Sequence, residues 1–331
     1  MKGNILLDHG EGGTATFQLI KEVFLKHLGE PEVLEDAAIL NMKGKIAFTT
    51  DSFVVRPLFF PGGDLGKLAV TGTVNDLAVM GAKPLYISAG FILEEGLDIS
   101  VLDDIVASMA ETAHTAGVKV VTGDTKVVRK GDIDLMFVNT SGIGQINHEI
   151  SLSSKSCKPG DSVLVSGTIG EHGIAVMLER EGFEIQGSFK SDCQTLEKLT
   201  DSLLESAPDT RCMRDPTRGG LATTLVEITS ASKTGMILYN DRIPIRAPVK
   251  AACDLLGLDP LYVPCEGRFV AVVPADETES ALKAMKSHKD GQFSVKIGQI
   301  TNDHKGVNLI TEIGGIRPIV ALHGVQFPRI C

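Results

Sequence analysis

The sequence predicts two domains of mixed α/β and α+β character, followed by a short tail. The chain has 331 residues, which is long for one hydrophobic core and suits two domains of ordinary size. Short apolar runs of strand length alternate with longer segments of helical spacing. The polar segment from Ser151 to Gly160 interrupts this pattern, which then starts again. We therefore expect one domain over 1–150, a second over 160–322 and a tail over 323–331.

The first domain begins with a predicted helix. Apolar residues recur at helical spacing from Thr14 to Leu28, and Gly29 follows where a helix would end. A second helix, Leu65 to Met80, has Asp64 as a suitable N-cap and is rich in small residues. A third helix is predicted over 100–116. Strands are predicted over 37–40, 46–50, 53–60, 84–93, 118–121 and 134–143.

The second domain repeats the alternation of helices and strands, which predicts an α/β sandwich with its own core. The predicted helices are 173–181, 195–206, 220–231 and 277–286. The predicted strands are 162–166, 269–273, 293–300 and 316–322.

Composition and charge exclude several classes of protein. Apolar residues make up 43% of the chain and charged residues 22%, as in a soluble globular protein. The net charge of −10, with no basic block, argues against nucleic-acid binding. The apolar runs are too short for a membrane span or a signal peptide, so we expect a cytoplasmic, reducing location. The six cysteines include no C-x-x-C pair, which argues against a disulfide framework or a structural zinc site.

Four aspartates lie beside apolar runs that we interpret as strands, and each is placed at a strand end: Asp36, Asp51, Asp76 and Asp124. Carboxylates gathered at one edge of a sheet can share Mg²⁺ with a triphosphate. Lys126 could neutralise charge on a transferring phosphoryl group. Each aspartate alone fits a turn or an N-cap equally well, and only the four together indicate a nucleotide site.

Two glycine-containing segments could hold an anion. Gly10 and Gly12 lie in a glycine-rich loop before the first helix, where backbone N–H groups could cap a phosphate. This loop matches no established phosphate-binding motif, and a plain N-terminal turn is the alternative. Arg218 precedes a helix N-terminus that suits an anionic ligand, and Asp215 would join it through a bridging cation. An elaborate helix start is the alternative there.

Two further residues carry possible chemistry. Glu266 precedes a predicted strand, where it could act as a general base or as a salt-bridged loop acid. Cys331 ends the chain, and the tail that carries it can extend roughly 30 Å. Pro328 restricts the tail, and Arg329 offsets the terminal carboxylate that would disfavour a thiolate. The residues alone leave Cys331 as either a carrier of a substrate group or an inert end.

Together these motifs resemble the HypE family of hydrogenase maturation proteins, within the aminoimidazole ribonucleotide synthetase (PurM-like) superfamily of ATP enzymes. The block Asp-Pro-Thr-Arg-Gly-Gly-Leu from Asp215 and the terminal Pro-Arg-Ile-Cys are the most specific parts. The resemblance implies two PurM-like domains, a mobile tail and a homodimer whose N-terminal domains pair into a β-barrel, with ATP sites at the subunit interface. The shared motifs span 9–13, 35–38, 49–52, 61–69, 72–78, 123–128, 215–221, 265–267 and 328–331.

The resemblance implies an ATP-dependent carbamoyl dehydratase. A carbamoyltransferase, HypF, would load a carbamoyl group onto Cys331, and dehydration would convert it into a thiocyanate. The cyano group would pass to iron held by the HypC–HypD complex and become a ligand of the [NiFe] hydrogenase centre. Glu266 would be the base that removes the N–H proton, and Lys126 would stabilise the transferring γ-phosphoryl group.

The resemblance also implies which residues bind ATP and Mg²⁺. The implied ATP contacts are Gly10, Gly12, Lys67, Asn75, Asp76, Thr125, Lys126 and Arg218. The implied Mg²⁺ ligands are Asp36, Asp51, Asp76, Asp124 and Asp215. The rival hypotheses are a sister ATP-dependent synthetase or kinase acting on a free small molecule, and a non-catalytic nucleotide-binding scaffold.

Overall fold

The structure is a computed structural model that describes residues 2–11, 13–29, 37–182, 190–324 and 330. Its helices are α1 (Thr14–Leu19), α2 (Lys26–Leu28), α3 (Leu65–Val79), α4 (Ile99–Thr115), α5 (Glu171–Glu181), α6 (Glu197–Ser206), α7 (Gly220–Ser232), α8 (Ala247–Leu256) and α9 (Thr278–Ser287). Its strands are β1 (Lys45–Phe53), β2 (Phe59–Phe60), β3 (Gly63–Asp64), β4 (Lys83–Glu94), β5 (Lys119–Val128), β6 (Met136–Ile146), β7 (Ser162–Val165), β8 (Cys212–Arg214), β9 (Gly235–Tyr239), β10 (Val270–Val273), β11 (Val295–Thr301), β12 (Gly306–Ile310) and β13 (Ile316–Ile319).

The first sheet has four strands in the order β1-β6-β4-β5, and it is open rather than closed into a barrel. Helices α3 and α4 cover one face, where their apolar side chains form a core with the sheet. Register places Ser52, Asn139, Gly90 and Asp124 in one row across the four strands. On the face of the sheet to which this row belongs, Phe48, at 68% exposure, and the edge residues of β5 are exposed.

Helix α3 is buried on nearly every side. Asp64 caps it, because its Oδ1 accepts a hydrogen bond from the Lys67 backbone N–H at 3.0 Å. Gly66 allows close contact with α4, since a side chain there would collide with the Ile105 carbonyl. Lys67 and Asp76 are the two residues of α3 that are not buried. Both belong to the set of implied ATP contacts.

The second sheet has seven strands in the order β13-β12-β9-β11-β7-β10-β8. One apolar cluster joins this sheet to α7, and another joins its opposite face to α6 and α9. Residues of α3 and α6 meet at the boundary between the two sheets, and Ser191 N–H donates to the Pro61 carbonyl at 2.7 Å. The two halves of the chain are therefore packed directly on each other.

Most predicted elements are confirmed, including the helix beginning at Thr14, which continues through a π-helical turn at Ile20–Leu25. The strand predicted over 37–40 is wrong: this segment is irregular and pairs with no strand among the described residues, and Ile39 is 92% exposed. The strand predicted over 53–60 is wrong between 54 and 58. Pro57 has no N–H to donate to a ladder there.

Strand β5 is longer than predicted, and this changes the position of Asp124 relative to the end of the strand. It pairs in parallel with β4 as far as Val128, so Asp124 lies inside a strand. Asp51 also lies within a strand, and Asp76 lies in α3. The prediction that these three aspartates mark strand ends is therefore wrong. In the described residues, no helix is both long and apolar enough to span a lipid bilayer.

Candidate active site

A cavity of about 130 Å³ lies where the first sheet, α3 and the second domain meet. It adjoins a larger cavity of about 490 Å³, and the two share the side chains of Asp76, Asp215, Thr217 and Arg218. The smaller cavity is lined by Thr50, Asp51, Ser52, Asp76, Asp215, Thr217, Arg218 and Glu266. Four acidic residues and one guanidinium group therefore line a common space.

Strand β1 and helix α3 each place one aspartate in this cavity. Asp76 is held in position by Thr49, whose Oγ1 donates to Asp76 Oδ2 at 2.7 Å. Asp51 is held by the Ser52 backbone N–H, which donates to Asp51 Oδ1 at 2.9 Å. Among the described residues, each carboxylate thus has one hydrogen-bonded oxygen, and the other oxygen has no such partner. This role of Thr49 was not predicted from the sequence, although Thr49 lies in the motif at 49–52.

Asn75, the neighbour of Asp76, is used differently. Its Nδ2 donates to the carbonyls of Gln194 and Glu266, both at 3.0 Å, and its Oδ1 accepts from the Leu196 N–H at 2.8 Å. The side chain is 2% exposed. Asn75 was predicted to contact ATP; in this structure its amide joins α3 to the second domain, next to Asp76.

Burial raises the pKa values of the acidic residues in the cavity, and neighbouring carboxylates add to this effect at Asp51, Asp215 and Glu266. Partial burial raises the pKa of Asp51 and of Asp76. Removal from water, followed by the charge of Asp76, raises the pKa of Asp215 to about 7. Burial, followed by the charge of Asp215, raises the pKa of Glu266 well above its usual range. The Arg218 guanidinium opposes these shifts at Asp51 and Asp76, so the cavity favours a ligand that brings positive charge.

Glu266 has a fixed backbone and an available carboxylate. Its N–H donates to Asp192 Oδ1 at 3.2 Å and its carbonyl accepts from Asn75. The residue is 3% exposed. Among the described residues, no hydrogen-bond donor or ion-pair partner reaches its carboxylate. A buried carboxyl group without such a partner and with a raised pKa binds a proton more tightly than usual, and it can act as a general base once it is deprotonated. Asp192, which supports it, was not singled out from the sequence.

A second group of predicted residues lies at the opposite edge of the first sheet. Asp124, Thr125 and Lys126 are on β5, three strands away from β1. Since neighbouring strands are about 4.8 Å apart, the two edges are separated by roughly 14 Å. Asp124 also faces the opposite side of the sheet from Asp51, because their register rows differ by one residue. A single chain does not bring these two groups together.

The glycine-rich loop belongs to this second group. A side-chain carbon at Gly10 would lie only 2.7 Å from the Val127 backbone nitrogen, so the loop packs directly against β5. Gly10 is therefore near Thr125 and Lys126 rather than near Asp51.

The remaining predicted residues are divided between other places. Lys67 lies in the first turn of α3 at the domain boundary, where its Nζ donates to the Gly62 carbonyl at 2.8 Å. Gly12, Asp36 and Cys331 lie outside the described residues. Within the described ranges, no three His, Cys, Asp or Glu side chains are arranged closely enough to hold a metal ion by themselves.

A third cavity, of about 620 Å³, is lined by residues of 149–158 and 208–211. It contains none of the predicted site residues. Of the predicted site residues, those that line the small acidic cavity are Asp51, Asp76, Asp215, Arg218 and Glu266.

Comparison with known proteins identifies the family. Models of the N-terminal and C-terminal domains of AIR synthase related proteins match residues 34–146 and 158–309. The chain is 46% identical to carbamoyl dehydratase HypE of Azotobacter vinelandii, over 99% of this chain and 98% of that protein. It belongs to the HypE family. HypE of Escherichia coli K12 is 43% identical, with 99% of each chain covered.

Solved HypE structures have the same fold along nearly the whole chain. A HypE crystal structure in complex with ATP matches with a TM-score of 0.95 and 43% identity, covering 98% of this chain and 99% of that one. The structure of a HypE–HypF complex matches with a TM-score of 0.82 and 44% identity, covering 94% and 100%. Thiamine monophosphate kinase of Aquifex aeolicus, at 17% identity and a TM-score of 0.63, shares the fold alone.

The crowded carboxylates predict a stability effect at Asp215. Its pKa is about 7 in the folded chain and about 3.9 when unfolded, so the folded state loses stability as pH rises from about 4 to about 7. Asp215→Asn removes this charge and should raise the free energy of unfolding at pH 8 by about 1–3 kcal/mol, measured by urea denaturation. At pH 4 the difference should nearly vanish. The exposed Asp241→Asn is the control, and a less stable Asp215→Asn variant at pH 8 would contradict the electrostatic interpretation.

Proposed function

We propose that this chain is an ATP-dependent carbamoyl dehydratase that acts on a carbamoyl group carried by its own Cys331. The observation that carries the proposal is 46% identity to a carbamoyl dehydratase over essentially the full length of both chains. The product is a thiocyanate, which supplies the cyanide ligands of the iron centre of a [NiFe] hydrogenase. The acidic cavity with an available Glu266 is the place for this chemistry.

In the overall reaction the carbamoyl group loses the elements of water, and its oxygen leaves as part of phosphate. The oxygen of the S-carbamoyl group attacks the γ-phosphorus of ATP, and ADP leaves. One N–H proton goes to Glu266, and the second goes to the departing phosphate as the C–O bond breaks. Phosphate departs with the oxygen, and the C≡N bond remains on sulfur. Phosphorylation is needed because an amide oxygen is a poor leaving group, whereas phosphate leaves well.

The described side chains fit the ATP phosphates and their metal. Arg218 and Lys126 would bind phosphoryl oxygens. A bound cation would lower the raised pKa values of Asp51, Asp76 and Asp215, because it stabilises their ionised forms. Mg²⁺ would supply charge neutralisation at the transferring phosphoryl group. The carboxylates form a partial set of ligands, to be completed by phosphate oxygens and by the further predicted ligands Asp36 and Asp124.

We propose a homodimer with shared active sites, paired through the first sheets into a barrel. The exposed Phe48 and the polar edge of β5 leave this sheet face available to a second copy. Pairing would bring Lys126 and Asp124 of one subunit to the acidic cavity of the other, which one chain alone does not do. The contacts implied for Gly10 and Thr125 would then also come from the neighbouring subunit, while Lys67 would contribute from the domain boundary.

Two partners follow from the same proposal. A carbamoyltransferase of the HypF type would load Cys331, in keeping with the solved HypE–HypF complex of relatives. The HypC–HypD complex would receive the cyano group. We place the reaction in the cytoplasm, because the thiol must stay reduced and the described cysteines are free thiols.

Cys331→Ala tests the carrier role. Intact-mass measurement of the wild-type chain, incubated with HypF, carbamoyl phosphate and ATP, should show a carbamoyl addition to the C-terminal peptide followed by loss of water. Cys331→Ala should show neither mass change and should still bind ATP. Cys253→Ala, which removes a buried thiol in α8, is the control. A cyanated peptide in the Cys331→Ala variant, or loss of its ATP binding, would refute a carrier role.

Glu266→Gln tests the base. The variant should accept the carbamoyl group normally, while single-turnover dehydration should fall at least roughly a hundredfold, because the amide cannot take the proton. The wild-type rate should rise with pH well above the usual glutamate range, since a group with a raised pKa must first lose its proton. Glu279→Gln on the exposed face of α9 is the control. Normal cyanation by Glu266→Gln would remove Glu266 from the mechanism.

Mixed dimers test whether the sites are shared. Lys126→Ala and Asp76→Asn should each abolish activity alone. If Lys126 serves the cavity of the partner, a mixed dimer contains one fully wild-type site, and an equal mixture should regain about a quarter of wild-type activity. If each site uses only its own chain, the mixture stays inactive. Native mass spectrometry, which resolves the mixed dimer from the two homodimers, confirms that the subunits have exchanged.

A further inference from the structure

The carboxyl end of the chain is anchored at the domain boundary through Ile330. This residue is 2% exposed and belongs to the same apolar cluster as Val176 and Cys193. Its carbonyl oxygen accepts a hydrogen bond from His172 Nε2 at 3.0 Å. That carbonyl is part of the peptide bond to Cys331, so the imidazole contacts the group that leads directly to the proposed carrier thiol.

The hydrogen bonds around His172 determine its tautomer. A carbonyl only accepts, so Nε2 carries the proton. Nδ1 is then unprotonated and accepts from Ser191 Oγ at 2.8 Å, while Ser191 Oγ accepts from the Cys193 N–H at 3.0 Å. The Phe60 ring packs edge-on against the imidazole, with ring centroids 5.4 Å apart. Burial lowers the pKa of His172 to about 4, so the ring is neutral at physiological pH.

The segment that orients His172 also supports the proposed base. Ser191 bonds to the imidazole, and the next residue, Asp192, accepts from the Glu266 N–H at 3.2 Å. Burial, followed by the charge of Glu266, raises the pKa of the Cys193 thiol. Three consecutive residues therefore connect the anchor of Ile330 with the backbone of Glu266.

We propose that His172 is a positioning residue that holds Ile330, and with it Cys331, beside Glu266 during dehydration. This inference rests on the proposed function. His172 does not act as an acid or base: its two ring nitrogens are occupied by Ile330 and Ser191. Its role is to supply one oriented N–H donor in a site from which water is excluded.

The first test measures docking without any catalytic step. His172→Phe keeps an aromatic ring but removes the donor, and His172→Gln restores an N–H donor. Alkylation of Cys331 by iodoacetamide, followed by intact mass and peptide mapping, reports its accessibility, because the five described cysteines are buried. We expect alkylation to be roughly tenfold or more faster in His172→Phe, since a buried hydrogen bond is lost. His172→Gln should recover part of the protection, and the exposed His114→Phe should behave as wild type.

The second test measures the chemical step separately from loading. With Cys331 carbamoylated in advance, single-turnover dehydration in His172→Phe should fall roughly tenfold to a hundredfold. Carbamoylation by HypF should be unchanged or faster, because that step needs the tail released. Ile330→Ala should likewise slow dehydration without slowing carbamoylation. This substitution changes the tail and not the folded domains, so it serves as the test if His172→Phe does not fold.

The outcomes separate the two proposals. The positioning role would be overturned if His172→Phe is alkylated and dehydrates at wild-type rates. If His172→Phe does not fold, the same result in Ile330→Ala would overturn it. An equal loss of carbamoylation and dehydration would also overturn it, since that pattern indicates general damage. If the wild-type chain does not dehydrate its carbamoyl group, the proposed function fails, while the alkylation comparison still decides whether His172 anchors the tail.

Discussion

The burial of α3 on nearly every side is the constraint on which the rest of the structure depends. This helix packs against the first sheet, against α4 and against α6 of the second domain. Small residues such as Gly66 make this possible, because they let neighbouring backbones approach closely. Asn75 adds three hydrogen bonds to the second domain. Once α3 is fixed in this way, Asp76 and the backbone of Glu266 have a fixed relation, and the acidic cavity forms between them.

The cavity keeps several carboxyl groups in positions where their ionisation costs free energy. Asp51, Asp76, Asp215 and Glu266 are brought together and withdrawn from water, and the cost of ionising them there appears as raised pKa values, to which burial contributes most. Such an arrangement is stable only because the surrounding core contributes enough burial to offset it. A ligand that carries phosphates and a cation uses the same positions without that repulsion.

Much of the fold and part of the site could be predicted from the sequence. The N-cap at Asp64 and the apolar spacing after it located α3 correctly, and the glycine-rich segment before the first helix packs closely against β5 at Gly10. The short apolar run at 37–40 could not be judged, because whether a strand forms depends on a partner elsewhere in the chain. The roles of Asn75 and His172 were hidden for a related reason: their hydrogen bonds join residues more than a hundred positions apart.

The buried Ile330 carries a consequence for the rate of the whole cycle. In the proposed cycle, a thiol attached directly to this anchored residue would be presented to the catalytic groups at a high effective concentration, as in any intramolecular binding event. The same anchor would compete with the proposed partner enzymes, which must take up the released end. An anchor that is too tight would slow loading and unloading, and one that is too loose would slow dehydration. Turnover would therefore be fastest at an intermediate strength of this single contact, where the docked and released populations are comparable.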